Sequence, residues 1–379
     1  MNQIYLDYAA ATPLDTKVRR AMEPFFNDQF FNPSAMYLAA REVHQTLAAA
    51  RSAVAAVLGA RPAEIIFTAG GTEANNLLIH GIMAQYPGKK ILVSSIEHES
   101  VLVPAHHYNC HEIAVRPDGI VEVAALERLI DDDTVLVCVM YANNEVGSVQ
   151  PLREVAACLQ TVRTKRRASG NTLPLYFHTD AAQAANYLDL HVSRLGVDSM
   201  TLNGGKLYGP KQSGALWLRG TLSLEPLIFG GGQERGLRSG TENVAAIVGF
   251  STALQLAQTL RATETRRLKS LQQLFLDQVT AGIPAAIING SLKKRLPNNV
   301  HLTVPGYDNE RLLIGLDEAG ILAAAGSACS ASREEPSHVL RAMGISDAAA
   351  RASLRFTMGR ATTERDVRRT VAVLAGLIA

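Results

Sequence analysis

Between residues 60 and 220, short apolar runs alternate with segments whose apolar positions return every three or four residues. Compact apolar runs bounded by turn residues read as strands, and the 3.6-residue period reads as amphipathic helix. The pattern predicts strands near 64–68, 91–96, 111–115, 134–141, 175–179, 199–203 and 213–218. Helices are predicted near 73–85, 122–130 and 151–168, the last running into the polar loop Lys165-Arg166-Arg167-Ala168-Ser169-Gly170-Asn171. This alternation predicts an open α/β sheet of seven strands with crossover helices. A long helix near 242–279 leads away from it into a smaller mixed section. There the pattern gives strands near 285–289, 299–304, 321–325 and 351–357, and helices near 308–319, 336–343 and 361–378. No internal repeat or low-complexity linker interrupts the chain.

The 379 residues, 47% hydrophobic and 19% charged, can bury a large core. A formal net charge of +2 gives no electrostatic drive toward nucleic acid or an anionic membrane. The uncharged stretch Val244 to Leu260 approaches the length of a membrane span, but Ser251, Thr252, Gln255, Gln258 and Thr259 suit a buried helix better. Met1-Asn2-Gln3 runs straight into Ile4-Tyr5-Leu6-Asp7 without a secretory signal, so a cytoplasmic protein is expected. Cys110, Cys138, Cys158 and Cys329 show no metal-ligand spacing and suit a reducing compartment. Cys138, within Val135-Leu136-Val137-Cys138-Val139-Met140, reads as core packing.

Several segments carry candidate chemistry, each beside a plainer alternative. In Thr201-Leu202-Asn203-Gly204-Gly205-Lys206-Leu207-Tyr208-Gly209-Pro210 an apolar strand delivers Lys206 into a glycine-framed turn. A sheltered lysine has its charged form disfavoured, and its free amine can capture a carbonyl such as that of pyridoxal phosphate. Most lysines near Gly-Pro turns are solvated instead. Ala69-Gly70-Gly71-Thr72-Glu73 opens a helix after a strand, either an anion site or a capped turn. Asp180 closes the strand Leu175-Tyr176-Phe177-His178-Thr179, where open α/β sheets bind ligands. It can partner a pyridine nitrogen, or cap the following helix. Asn143-Asn144-Glu145-Val146-Gly147 is a turn whose amides can also meet a ligand, and His98 is either a ring-stacking or a structural histidine. Gly230-Gly231-Gly232-Gln233-Glu234-Arg235-Gly236-Leu237-Arg238-Ser239-Gly240-Thr241 can wrap a phosphate, approach a neighbouring subunit, or be a surface loop. Gly326-Ser327-Ala328-Cys329-Ser330-Ala331-Ser332 places a thiol among small residues, the setting of an accessible, reactive cysteine. Arg355, inside a strand pattern, needs either a substrate carboxylate or a structural ion pair.

Together with Tyr5-Leu6-Asp7-Tyr8-Ala9-Ala10-Ala11-Thr12-Pro13, Asn32-Pro33-Ser34 and Arg355-Phe356-Thr357-Met358-Gly359-Arg360, these segments resemble the cysteine desulfurases of the class V aminotransferase superfamily. The resemblance implies fold type I of the pyridoxal-phosphate enzymes. It implies a large α/β domain over 15–255, and a small α+β domain of 1–14 with 256–379 that carries the Cys329 loop and Arg355. It further implies that Lys206 holds the cofactor, Asp180 pairs with its ring nitrogen, Gln183 meets its ring hydroxyl and His98 stacks on the ring and moves protons. Gly71 and Thr72 would bind the phosphate, with Thr241 reaching it from the partner of a homodimer. Asn144 and Arg355, with Asn32 nearby, would hold L-cysteine, and Cys329 would take its sulfur as a persulfide, releasing alanine. The Cys329 loop is similar to that of the long-loop subgroup, which implies delivery of sulfur to an acceptor or scaffold protein for iron-sulfur clusters or other sulfur-containing cofactors.

The chain departs from the family pattern close to the cofactor. Asn203-Gly204-Gly205 replaces the usual Ser-Gly-His before the lysine, so Asn203 and the Gly205 backbone stand where two phosphate donors are expected. Tyr37 and Gln233 occupy positions that are histidine in the family, and the chain closes near Ala379 without the extension that assembly-type members use to dock a scaffold. Two alternatives stand beside the desulfurase: a selenocysteine lyase or other class V lyase or transaminase, and a non-catalytic scaffold of the same fold.

Overall fold

The computed structural model describes residues 3–326 and 336–378. Seven strands form one sheet in the spatial order Ile65–Thr68, Gly214–Leu218, Ser199–Asn203, Tyr176–Asp180, Thr134–Cys138, Lys90–Ser94, Asn109–Ile113. Gly214–Leu218 alone runs antiparallel to its neighbours, and the rest of the sheet is parallel. Each of the seven predicted strands is present, with ends that agree to within three residues and Ser199–Asn203 as predicted. Both faces of the sheet are covered, so alternate side chains enter two different cores. Ile65 and Phe67 join Met200, Leu202, Ala215 and Trp217 on one face. Ile66, Leu216 and Leu218 join Leu78, Ile91 and Val135 on the other.

The helix Val244–Gly282 links the sheet to a second core. The Asn243 side chain caps it by accepting from the Ala246 amide at 3.1 Å. Its first turns bury Phe250, Ala253 and Leu254 against the sheet layer. Its later turns bury Leu268, Leu271, Phe275 and Val279 with Ile4, Leu6, Val300, Phe356 and Val371. The first strand of the chain, Ile4–Tyr5, thereby packs with the C-terminal section, pairing in parallel with Ile321–Leu322. Among the described residues no helix is long and apolar enough to cross a membrane.

Six α-helices among the described residues lie outside the predicted elements: Glu99–Ala105, Val192–Leu195, Asp347–Ala350, Thr16–Met22, Pro24–Asn27 and Leu38–Leu58. The last is alanine-rich, and its buried face of Ala40, Val43, Leu47, Ala50, Val54 and Leu58 is apolar too weakly to stand out. The predicted strands at 285–289 and 321–325 shrink to Ile287–Ile288 and Ile321–Leu322.

Candidate active site

The parallel strands deliver their C-terminal ends to one edge of the sheet. Asp180 is the last residue of its strand, and Lys206 ends the short turn Gly204–Lys206 that follows Ser199–Asn203. The Asn203 side chain caps that turn, its Oδ1 accepting from the Gly205 amide at 3.0 Å. His98 caps the helix Glu99–Ala105, and Thr72 lies in the first turn of Gly71–Met83. Gly70 at φ 122° makes the sharp entry into that helix, a conformation few other residues tolerate. These loops enclose a cavity of about 620 Å³ lined by Gly71, Thr72, His98, Asn144, Asp180, Gln183, Asn203, Lys206 and Arg355. Gly205 lines the adjoining, more open compartment.

The expected ring partners are joined by a residue that the sequence does not single out. Asn75, fully buried one turn into the helix, donates from Nδ2 to Asp180 Oδ2 at 2.8 Å and to Ser100 Oγ at 2.9 Å. Its Oδ1 lies 3.1 Å from His178 Nε2, and His178 Nδ1 lies 2.9 Å from Ser199 Oγ. An amide oxygen only accepts, so His178 carries its proton on Nε2 and takes the serine proton at Nδ1. Burial pulls the His178 pKa down to about 3, which keeps that ring neutral. Ser100 completes the link to His98, whose Nδ1 accepts from the Ser100 amide at 3.1 Å and lies 2.8 Å from its hydroxyl. Burial lowers the His98 pKa, with Asp180 opposing and Lys206 reinforcing the shift. One amide thus fixes both Asp180, whose Oδ1 also accepts from the Ala182 amide at 2.9 Å, and the histidine beside it. A polar side chain at Asn75 within Ala74-Asn75-Asn76-Leu77-Leu78-Ile79 was the available signal, since asparagine is a poor interior helix former.

The N-terminal segment forms the opposite wall. Lys206 Nζ donates to the Ala10 carbonyl at 2.5 Å, and Gln183 Nε2 donates to the Ala9 carbonyl at 3.0 Å. Arg355 reaches the cavity from the centre of the strand Ser353–Thr357. The structural ion pair expected of this arginine is present, and the residue also lines the cavity. Its Nη2 donates to Asp7 at 2.7 Å and its Nη1 to the Asn144 carbonyl at 3.1 Å, whereas its buried Nε has no hydrogen-bond partner among the described residues. Asn143 serves the turn itself, its Oδ1 accepting from the Glu145 and Val146 amides at 2.9 Å.

Glu97, immediately before His98 in the chain, is buried. Its Oε1 accepts from Ser94 Oγ and the Met140 amide, both at 2.6 Å, and its Oε2 has no partner among the described residues. Burial pushes this carboxyl up to about 8. The native state therefore holds a proton that the unfolded chain releases near 4.3. Stability from this proton is complete below that value and is lost as pH rises toward 8, by at most about 1.4 kcal/mol per pH unit. Glu97→Gln replaces the protonated carboxyl with a neutral group of the same shape. Its urea midpoint should gain on the parent's progressively from pH 5 to pH 8; parallel pH profiles would refute the assignment.

Not every expected residue reaches the cavity. Asn32 and Thr241 line a separate, open groove of about 610 Å³ with Phe25, Phe26, Phe30 and Phe31. The loop carrying Thr241 is pinned by Glu234, which accepts from Arg51 at 2.6 and 2.7 Å and from the Phe67 amide at 2.9 Å. Glu234 and Arg235 pay for this with φ of 47° and 60°, in the left-handed region. Cys329 lies outside the described residues. The three described cysteines are poor nucleophiles: burial pushes the Cys110 thiol up to about 12, raises that of Cys158, and raises that of the fully buried Cys138 further.

The mostly parallel seven-stranded sheet flanked by helices is the fold of the type I pyridoxal-phosphate enzymes. The chain matches the aminotransferase class-V family over residues 4–370 and belongs to it. Within that family it belongs with the cysteine desulfurases: it is 39% identical over 383 residues to the cysteine desulfurase IscS of Dictyoglomus turgidum, covering 99% of this chain and 94% of the relative. A NifS-like protein from Rickettsia africae superposes with a TM-score of 0.89 at 30% identity, over 100% of this chain and 99% of its own. SspA in complex with cysteine superposes with a TM-score of 0.80 at 33% identity, over 94% of this chain and 98% of its own.

Proposed function

We propose that this chain is a pyridoxal-phosphate-dependent cysteine desulfurase that converts L-cysteine to L-alanine and leaves a persulfide on Cys329. The observation that carries the reading is the convergence of Lys206, Asp180, His98 and Thr72 on one cavity, with Arg355 among its lining residues. The donor set fits the cofactor group by group. Lys206 offers an amine to the aldehyde, Asp180 a carboxylate to the ring nitrogen, Gln183 an amide to the ring hydroxyl and His98 a flat face to the ring. The first amides of Gly71–Met83 have no intrahelical acceptor, and with the Thr72 hydroxyl they suit a phosphate. When bound, pyridoxal phosphate supplies an electron sink that weakens bonds at the substrate's carbons.

The protein's own groups do the rest. Arg355, braced by Asp7, takes the substrate carboxylate, and Asn144 flanks both substrate and cofactor. Asn75 holds Asp180 and His98 in one orientation, so neither must be reorganised as charge develops. Lys206 Nζ and His98 are the groups placed to carry protons. The Cys329 thiolate attacks the substrate sulfur: an S–S bond forms, the C–S bond breaks, and its electron pair stays with the carbon, where a proton completes alanine.

Three further parts belong to the proposal. A second copy of the chain covers the groove that holds Asn32 and Thr241, where Phe26 and Phe30 are 60% and 66% exposed, and Thr241 serves the partner's phosphate site. The chain divides into 15–255 and a smaller unit of 1–14 with 256–379, consistent with the two cores joined by the helix Val244–Gly282. The persulfide passes in the cytoplasm to a protein acceptor for iron-sulfur clusters or other sulfur-containing cofactors. The test is the absorbance of the purified protein before and after L-cysteine, with alanine and sulfide assayed under reducing conditions. A yellow protein whose band shifts and which yields both products in equal amounts is expected. A colourless protein that pyridoxal phosphate cannot reconstitute would overturn the reading.

A further inference from the structure

Beyond Thr72 the cavity opens into a compartment of about 1190 Å³ lined by Gly71, Thr72, Asn203, Gly205 and Lys211, among others. Its acidic residue, Glu73, is already engaged: it pairs with Arg238 at 2.9 Å and accepts from the Ala69 amide at 3.1 Å. Lys211, by contrast, forms no hydrogen bond or ion pair with any described residue. A Cβ built on Gly205 would meet Lys211 Cγ at 3.7 Å, Lys211 Cα at 3.9 Å and Asn203 Oδ1 at 3.5 Å. The side chain missing at 205 would therefore lie along the stem of Lys211. Asn203 spends its oxygen capping Gly205, and its Nδ2 lies 3.5 Å from where a Cβ on Gly71 would be. That leaves neutral donors on the phosphate side and one uncommitted cation. The turn carrying it holds Tyr208 at φ 60° and Gln212 at φ 58°, strain that is kept where a geometry is needed.

We propose that Lys211 is the phosphate counter-charge of this chain, acting across the space left by Gly205 in place of an imidazole. A lysine binds phosphate as a point charge, without the geometry an arginine fork demands, so its flexible stem suffices from the mouth of the compartment. The inference rests on the pyridoxal-phosphate reading above. Its test compares two probes with the same aldehyde and ring: pyridoxal phosphate and pyridoxal. Each is titrated into the full-length chain freed of cofactor, with binding followed by absorbance. Lys211→Gln should weaken pyridoxal phosphate about tenfold or more, the scale of one charge-assisted hydrogen bond, and leave pyridoxal within about twofold. Adding Gly205→His to Lys211→Gln should recover most of the loss, since a Cβ at 205 meets its neighbours only at ordinary contact distance. Unchanged affinity for pyridoxal phosphate in Lys211→Gln, or equal weakening of both probes, would overturn the role of Lys211 and leave the cofactor reading intact. Failure of the parent to bind either probe would overturn both.

Discussion

Lys206→Ala protein turns L-cysteine over at least about a thousandfold more slowly than its parent and no longer holds pyridoxal phosphate covalently. Loss of a positioned proton-transfer group alone costs about a hundred- to ten-thousandfold, and here the covalent anchor goes with it. No neighbour can substitute. Lys206 carries the sole amine among the described residues lining the 620 Å³ cavity, and Lys211 belongs to the outer compartment. The fold should survive, because the structural duties of this turn fall on backbone and caps: the Lys206 carbonyl accepts from Asn186 at 2.7 Å and the Gly205 carbonyl from Thr12 at 3.0 Å. Steady-state rates, the cofactor released on denaturation and thermal unfolding of the same sample check the claim. Methylamine should restore part of the rate, as a free amine replacing the missing one. Full activity without Lys206 would remove the lysine from the chemistry.

Cys329→Ser protein keeps its cofactor and its spectral response to L-cysteine, and loses sulfur transfer by a comparable factor. The step requires a thiolate, which a serine hydroxyl cannot replace at neutral pH. The remaining thiols offer no bypass: burial holds Cys110 near 12, and Cys138 lies fully buried in the sheet core. Alanine formation and enzyme-bound sulfur, measured side by side in parent and variant, check this. Retained turnover to persulfide would assign the sulfur to another group and favour a lyase that has no need of this cysteine.

What could be read from the sequence follows from where chemistry meets regular structure. Asp180, Lys206, His98 and Thr72 were legible because each sits at the end of an apolar strand or the start of the helix after it, and the sheet gathers such ends at one edge. Arg355 was legible as a buried charge, but its division between Asp7, the Asn144 carbonyl and the cavity depends on a contact spanning 348 positions. Asn75 was hidden because its task is set by His178 and Asp180 on one strand and Ser100 on another helix, which folding brings together from two other segments. Asn32 and Thr241 illustrate the converse: the motifs are present, yet within one chain they form a groove of their own. The helix Leu38–Leu58 escaped because alanine marks a buried face faintly.

The most direct test of the central claim is a single turnover. Holoprotein is mixed with one equivalent of L-cysteine and quenched with an alkylating agent. The peptide containing Cys329 is weighed and the alanine counted. One alanine per subunit and one added sulfur atom on Cys329 is the predicted result. Alanine without sulfur on that peptide, or sulfur on Cys329 without alanine, would contradict it.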